Sequence, residues 1–276
     1  MKPFSPSQTN FEKEQLCFGV YQLKDCYQQV IEALSLGIRV IDSAITYRNE
    51  KECEQAIQDF CHQNVNIKRE DITLITKIPD SLQGFERTWK AVEQSLRRTG
   101  RPKLDVVLIH SPKWPVRRIE SWRALLQHQK EGRINKIGVS NYNIHHLEEI
   151  ISLGLPLPAI NQVEFSAFNN RPTFLSYCFN HGILVQAFSP LTRGYRLSDI
   201  RLLDLSLKYN KTPANILLRY CLQKGVSPIF KASSFVHIHE NVKAEQFMLD
   251  PSDMDVMDTW DEEFVSKPTW NPIILP

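Results

Sequence analysis

Hydrophobic residues follow two alternating textures along the chain. Short dense runs of valine, isoleucine and leucine lie at residues 16–20, 39–42, 72–77, 106–110, 136–140, 159–165, 183–187 and 226–230. They do not alternate strictly with polar residues, the pattern expected of strands buried on both faces. Between them the apolar positions recur at helical spacing. Leu23, Tyr27, Val30, Ile31 and Leu34 share one helical face; so do Ile119, Trp122, Leu125 and Leu126, and again Ile144, Leu147, Ile150 and Ile151. Thr212-Pro213 predicts a helix start, with threonine as N-cap and proline in the first turn. Ser252-x-x-Asp255 predicts another, with Asp in place of the usual Glu or Gln of a capping box.

Glycines punctuate this alternation. Gly37, Gly100, Gly132, Gly154, Gly182 and Gly225 each follow a helical pattern and precede a strand run. A left-handed helix cap belongs at such places. Strands alternating with helices predict a parallel sheet with helical crossovers. Eight strand runs predict a (β/α)8 TIM barrel, α/β in class, with residues 1–276 as a single domain. An open doubly wound sheet is the alternative. The loop 190–198 and the tail 261–276 are extra to the repeat and are expected to wall a pocket, the tail lying over the mouth of the barrel.

Composition narrows the function. The chain has 276 residues and only 10 glycines, where average usage gives about 19. No two glycines are close enough to form G-x-G-x-x-G or G-x-x-x-x-G-K-[ST]. The doubly wound alternative therefore lacks its usual dinucleotide loop. A net charge of +2 gives no electrostatic case for nucleic acid or a membrane surface. No run approaches the length of a membrane span. The first ten residues have no apolar core of a secretory signal, and the six cysteines contain no C-x-x-C pair. A reduced cytoplasmic protein, monomeric, is the expectation. His145-His146 and His237-x-His239 match no zinc motif, so no metal is expected.

Active sites of barrels sit at the C-terminal ends of the strands. There the sequence places Asp42 and Tyr47 after the second strand, Lys77 after the third and His110 after the fourth. Such a group suits proton donation to a carbonyl oxygen. Tyrosine holds its proton at neutral pH, and a neighbouring ammonium lowers its pKa by stabilising the phenolate. An aspartate keeps the lysine charged, and the histidine donates to the substrate oxygen. None of the four is a hydride source, so reduction calls for a nicotinamide. A barrel that binds a cofactor without turning it over, in a regulatory or structural role, is the competing function.

Longer motifs carry a resemblance. Gly37-Ile-Arg-Val-Ile-Asp-Ser-Ala-Ile-Thr-Tyr-Arg-Asn-Glu50 is similar to the first signature of the aldo-keto reductases. Leu74-Ile-Thr-Lys77, Asp105-Val-Val-Leu-Ile-His-Ser-Pro112 and Gly132-Arg-Ile-Asn-Lys-Ile-Gly-Val-Ser-Asn-Tyr142 continue the match. Asn161-Gln-Val-Glu164, Ala187-Phe-Ser-Pro-Leu191, Glu240-Asn241 and Trp270-Asn-Pro272 follow in order. The resemblance spans nearly the whole chain. It implies a barrel enzyme that reduces aldehydes and ketones to alcohols with NADPH, acting on a small-molecule carbonyl partner. It implies the catalytic tetrad Asp42, Tyr47, Lys77 and His110, the same four residues reached from the strand ends. It also implies a cofactor site. Ser140, Asn141 and Gln162 hold the nicotinamide carboxamide, and Phe188 stacks on the ring. Ser189 and Leu191 lie along the pyrophosphate. Lys231, Ser233, Ser234 and His237 surround the 2′-phosphate, Glu240 and Asn241 lie near the adenine, and Gly19 and Val20 border the site. Tyr21, Ser111 and Trp114, with Tyr47 and His110, form the substrate pocket.

The departures sharpen these expectations. The family's usual Arg six residues after the strand-eight lysine is His237 here, and neutral histidine grips phosphate less well. NADPH stays the expected cofactor because Lys231 is kept; NADH is the alternative. Tyr21 and Ser111 stand where tryptophan is common, which reshapes the pocket, and Trp114 is expected to refill part of it. Arg117, Arg118, Arg193 and Arg196 lie in loops expected to rim the mouth, where they are candidates for recruiting a carboxylate or phosphate.

Overall fold

Strands and helices alternate through a computed structural model that describes residues 15–276. The N-terminal segment read above for a signal lies outside the described residues. The order is β1 (Cys17–Gly19), α1 (Cys26–Ser35), β2 (Val40–Asp42), α2 (Glu50–Gln63), β3 (Thr73–Ile78), α3 (Phe85–Thr99), β4 (Leu104–Ile109) and α4 (Pro115–Lys130). It continues with β5 (Ile134–Ser140), α5 (Ile144–Ser152), β6 (Ile160–Glu164), α6 (Pro172–Asn180), β7 (Leu184–Phe188), α7 (Ile200–Tyr209), α8 (Pro213–Gln223), β8 (Ser227–Phe230), α9 (Phe235–Val242) and α10 (Pro251–Asp258). Each strand pairs in parallel with the next, and β8 closes onto β1. The sheet is therefore a closed (β/α)8 barrel, and the open-sheet alternative falls. Closure leaves no unpaired edge, so every strand has to be apolar on its outer face as well.

The apolar runs bury as that pattern requires. Cys17, Val40, Ile75, Val106, Leu108, Ile160 and Ile229 pack together. Larger clusters join the strands to the helices around them, for example Phe18, Ile41, Ile57 and Leu74 with Val30 and Leu34. All six glycines expected to cap helices have positive φ, from 63° to 97°. Gly138 has a different task. A Cβ there would lie 2.5 Å from the Ile160 carbonyl oxygen and 2.7 Å from Leu108 Cδ2. Only glycine lets β5 come this close to β6.

Thr212 caps α8 as expected, its side chain accepting from Asn215 N at 3.1 Å with Pro213 in the first turn. The start expected at Ser252 is corrected. Helix α10 begins at Pro251 with Asp250 as N-cap, because the fixed φ of proline is already helical and sets the start. The tail folds back over the α6 and α7 side. Glu262 N and Phe264 N donate to the Phe168 carbonyl at 3.1 and 3.0 Å, and Arg196 and Arg201 both pair with Glu262. Among the described residues no helix is long and apolar enough to cross a membrane.

Candidate active site

The four chemical residues come together because β2, β3 and β4 are neighbours and all end at the same mouth. Asp42 closes β2, Lys77 is the penultimate residue of β3, and His110 follows β4 directly. Tyr47 ends a 3-10 turn, Ile45–Tyr47, and Arg48 leaves that turn at φ 61°. Buried polar bonds fix this turn. Ser43 Oγ donates to Asn49 Oδ1 at 2.7 Å, and Asn49 Nδ2 donates to the Val20 carbonyl at 3.0 Å. Glu50, the first residue of α2, accepts from Thr76 Oγ1 at 2.7 Å, Ser95 Oγ at 2.8 Å and Arg98 Nε at 2.7 Å. The chain on both sides of Tyr47 and beside Lys77 is thus tied into the barrel wall.

Lys77 is 1% exposed, and its donors are spent close by. Nζ donates to Asp42 Oδ1 at 2.7 Å and to the Ser43 carbonyl at 2.8 Å. It also lies 5.2 Å from the centroid of the Tyr47 ring. Burial works against the charged lysine, but Asp42 and Tyr47 outweigh it and hold the ammonium above its ordinary pKa. For Tyr47 the balance differs from the sequence expectation. Burial raises the phenol, Lys77 pulls it back only in part, and the net shift is upward. Desolvation of a phenolate exceeds the help from one ammonium already committed to a carboxylate. Burial, and then the Lys77 charge, push His110 down to about 3. The ring is therefore neutral near pH 7, with one N–H to donate.

These groups open onto a cleft of about 680 Å³. At its inner end Ser140 Oγ donates to the Gln162 carbonyl at 2.8 Å, and Asn141, at φ 64°, donates from Nδ2 to the His110 carbonyl at 3.1 Å. Gln162 Nε2 donates to Asp42 Oδ2 at 2.8 Å. These bonds use the side-chain nitrogens. Asn141 Oδ1 and Gln162 Oε1 accept no hydrogen bond among the described residues, and both residues line the cleft. Phe188, Ser189 and Leu191 line one wall; Lys231, Ser233 and His237 line the far end, with Gly19 and Ala232. Lys231 forms no ion pair among the described residues.

Other expected site residues lie elsewhere. Val20 is fully buried beneath the cleft. Ser234 caps α9 through His237 N, Glu240 pairs with Lys243, and Asn241 is buried; none of the three lines the cleft. Tyr21 lines it, its ring 4.9 Å from that of Tyr47. Ser111 is buried with its hydroxyl on the Asp80 carboxylate, and Trp114 lies against Lys113 and Arg117, outside the lining. Trp270 of the tail stands in the cleft instead, 6.1 Å from His110 and 6.3 Å from Phe188 between ring centroids. The tail's role as a wall is legible in the sequence, but nothing there singles out Lys267 and Trp270 as lining residues. Of the four arginines expected in rim loops, only Arg193 lines the cleft; Arg117 and Arg118 instead lie in the first turn of α4, where Pro115 starts the helix, and Arg118 is buried on Glu149 at 2.7 Å.

Comparison with known proteins agrees with this fold. Residues 15–262 match the Aldo/keto reductase family. An oxidoreductase of Schizosaccharomyces pombe is 37% identical over 95% of this chain and 94% of its own. Glyoxal reductase of Bacillus subtilis is 35% identical, over 89% of this chain and 88% of its own. Among solved structures, a Bombyx mori aldo-keto reductase in complex with NADP superposes with a TM-score of 0.83 at 25% identity, covering 94% of each chain. The chain is an oxidoreductase by class, and it belongs to the aldo/keto reductase family.

Proposed function

We propose that the protein reduces aldehydes and ketones to alcohols with NADPH, using Tyr47 as proton donor. One observation carries this reading: a buried ammonium, Lys77, pinned by Asp42 and set against the Tyr47 ring at the mouth that also holds His110. The whole described chain then works as one catalytic unit, with the tail as a wall of its cleft.

The cleft suits a nicotinamide dinucleotide. Asn141 Oδ1 and Gln162 Oε1 are acceptors for a carboxamide NH2, and Phe188 offers an aromatic face beside them. Lys231, with Ser233 and His237, offers an unpaired cation, a hydroxyl and an imidazole for a phosphate at the far end. Binding of NADP by the Bombyx mori relative supports NADPH over NADH. When bound, the dihydronicotinamide supplies the hydride.

The rest of the chemistry belongs to this chain. Neutral His110 donates its ring N–H to the carbonyl oxygen and orients it. As that oxygen gains negative charge, Tyr47 gives it the phenolic proton and completes the alcohol. Lys77 stabilises the phenolate left behind, and Asp42 keeps Lys77 charged and in place. The raised pKa of Tyr47 keeps the proton on the phenol until charge develops.

The test is loss of NADPH absorbance with glyoxal and a panel of aromatic aldehydes. Tyr47→Phe should abolish turnover and still bind NADPH by fluorescence. A Tyr47→Phe enzyme with full activity refutes the assignment. Lys231→Ala should weaken NADPH binding more than NADH binding; equal loss for both refutes Lys231 as the 2′-phosphate contact.

A further inference from the structure

Two cations line the cleft that the proposed chemistry does not use: Arg193, in the loop after β7, and Lys267, in the tail. Neighbouring arginines are occupied. Arg196 and Arg201 are paired with Glu262, and Arg118 with Glu149 and the Pro112 and Pro276 carbonyls. Arg193 and Lys267 form no ion pair and donate no side-chain hydrogen bond among the described residues. Glu164, whose carboxyl feels the Arg193 charge, is taken by Ser266 N at 2.8 Å and lines a neighbouring cavity instead.

Their placement points to the substrate end of the cleft. Trp270 N donates to the Lys267 carbonyl at 2.9 Å, so Lys267 sits one turn before the ring that packs edge-on to His110. Ser266, adjacent to Lys267, is bonded to the last residue of β6, and that residue pairs in register with Phe188. Lys267, next to Ser266, and Arg193, whose charge reaches Glu164, therefore both belong to the part of the lining over the ends of β6 and β7. Of the other charged lining residues outside the Asp42–Lys77 pair, Lys231 stands at the proposed phosphate end, and Asp80, whose carboxylate accepts from Ser111 and Gln83, follows β3. Strands three and seven face each other across an eight-stranded barrel, so Asp80 repels an anion toward Arg193 and Lys267.

The β7–α7 loop is also held in an unusual conformation. Ser189, Thr192 and Arg193 have φ of 49°, 51° and 53°. Left-handed backbone is costly for residues other than glycine and persists where surroundings impose it. Thr192 supplies that restraint. It is buried, and its Oγ1 donates to the Leu191 carbonyl and accepts from Arg196 N at 3.1 Å. Arg193 is thus presented to the cleft by a fixed loop.

We infer that Arg193 and Lys267 form an anion subsite that selects carbonyl substrates carrying a carboxylate. This rests on the reductase reading of the same cleft. The carboxylate sits between the two cations while the carbonyl carbon lies toward His110 and Tyr47.

The test compares 4-carboxybenzaldehyde with 4-methylbenzaldehyde, which differ little in size and in the electron demand of the ring. With saturating NADPH, the wild-type enzyme should favour the carboxylated aldehyde in kcat/KM by about tenfold or more, the scale of one or two charge-assisted hydrogen bonds. High salt should shrink the ratio. Arg193→Gly keeps the positive φ without strain, and Lys267→Ala is a surface change. Each should cut the ratio several-fold, mainly through KM for the carboxylated aldehyde, and Arg193→Lys should restore part of it. The Kd for NADPH should stay within about twofold in each variant, against roughly tenfold per lost charged phosphate contact. A wild-type ratio near one, with both aldehydes reduced, overturns the inference alone. Weakened NADPH binding in either variant assigns the cations to the cofactor's pyrophosphate and overturns it too. No NADPH oxidation with either aldehyde overturns the reductase reading together with the inference.

Discussion

Replacing Asp42 with alanine separates what the buried pair does for the fold from what it does for the chemistry. At 2.7 Å, and with an effective dielectric of about 20, two unit charges attract by about 6 kcal/mol. Most of that attraction offsets the desolvation of Lys77 and Asp42. Removing one partner strands the other charge, a loss of about 3–5 kcal/mol. Lys77 keeps the Ser43 carbonyl, which places the expected loss toward the lower figure. Removing both charges, as in Asp42→Ala with Lys77→Met, strands neither and should cost less than the two single changes added together. Equilibrium urea unfolding of the four proteins gives the coupling directly. Activity should vanish in the double variant although much of the stability returns. If Asp42→Ala loses under 1 kcal/mol, or if the single losses simply add, Lys77 is not held as a buried ammonium by Asp42.

Three further outcomes follow from particular distances and pKa shifts. The His110 pKa is pushed down to about 3, against about 6.5 in an unfolded chain. The unfolded chain therefore binds the extra proton between those values, and the stabilising contribution of neutral His110 is complete above pH 6.5 and lost as pH falls. His110→Gln should flatten the fall in unfolding free energy, measured by urea titration, between pH 7 and 5 by up to about 1.4 kcal/mol per pH unit, and identical slopes refute it. Gly138→Ala drives a Cβ to 2.5 Å from the Ile160 carbonyl and should destabilise by about 1–3 kcal/mol or more, read by thermal melting; an unchanged midpoint means β5 and β6 part freely. Trp270→Ala removes the ring shared by His110 and Phe188 and should raise KM for small aldehydes several-fold while leaving the urea midpoint nearly unchanged; an unchanged KM removes Trp270 from the substrate wall.

Much of the barrel was legible because its signals are local. A strand buried on both faces needs a dense apolar run, and a helix end turning into a strand favours glycine, so 16–20 through 226–230 and Gly37 through Gly225 mark the repeat. Asp42, Tyr47, Lys77 and His110 were legible because parallel strands put every C-terminal end at one mouth. The rest depends on long-range packing. Ser111 looks like a lining residue by its position after β4, but its hydroxyl turns to Asp80 three residues beyond Lys77. Trp114 looks like a replacement indole, but the start of α4 carries it against Lys113 and Arg117. Trp270 reaches the cleft only because the tail is fastened at Phe168 and Glu164. The net pKa of Tyr47 depends on how deeply its ring is buried, which no spacing of residues encodes.

The two oxygens of Asp42 are divided between different tasks. Oδ1 holds the ammonium beside Tyr47, and Oδ2 holds the amide of Gln162, a cleft residue proposed to hold the nicotinamide. The acid strength of the proposed proton donor and the seating of the proposed cofactor are therefore not independent adjustable properties. A change that retunes Gln162 for a different nicotinamide carrier also pulls on the carboxylate that sets the charge at Lys77. Selection, natural or in the laboratory, has to move both at once, so the inner end of this cleft should resist change, while substrate choice can be altered separately at the rim, at Arg193 and Lys267.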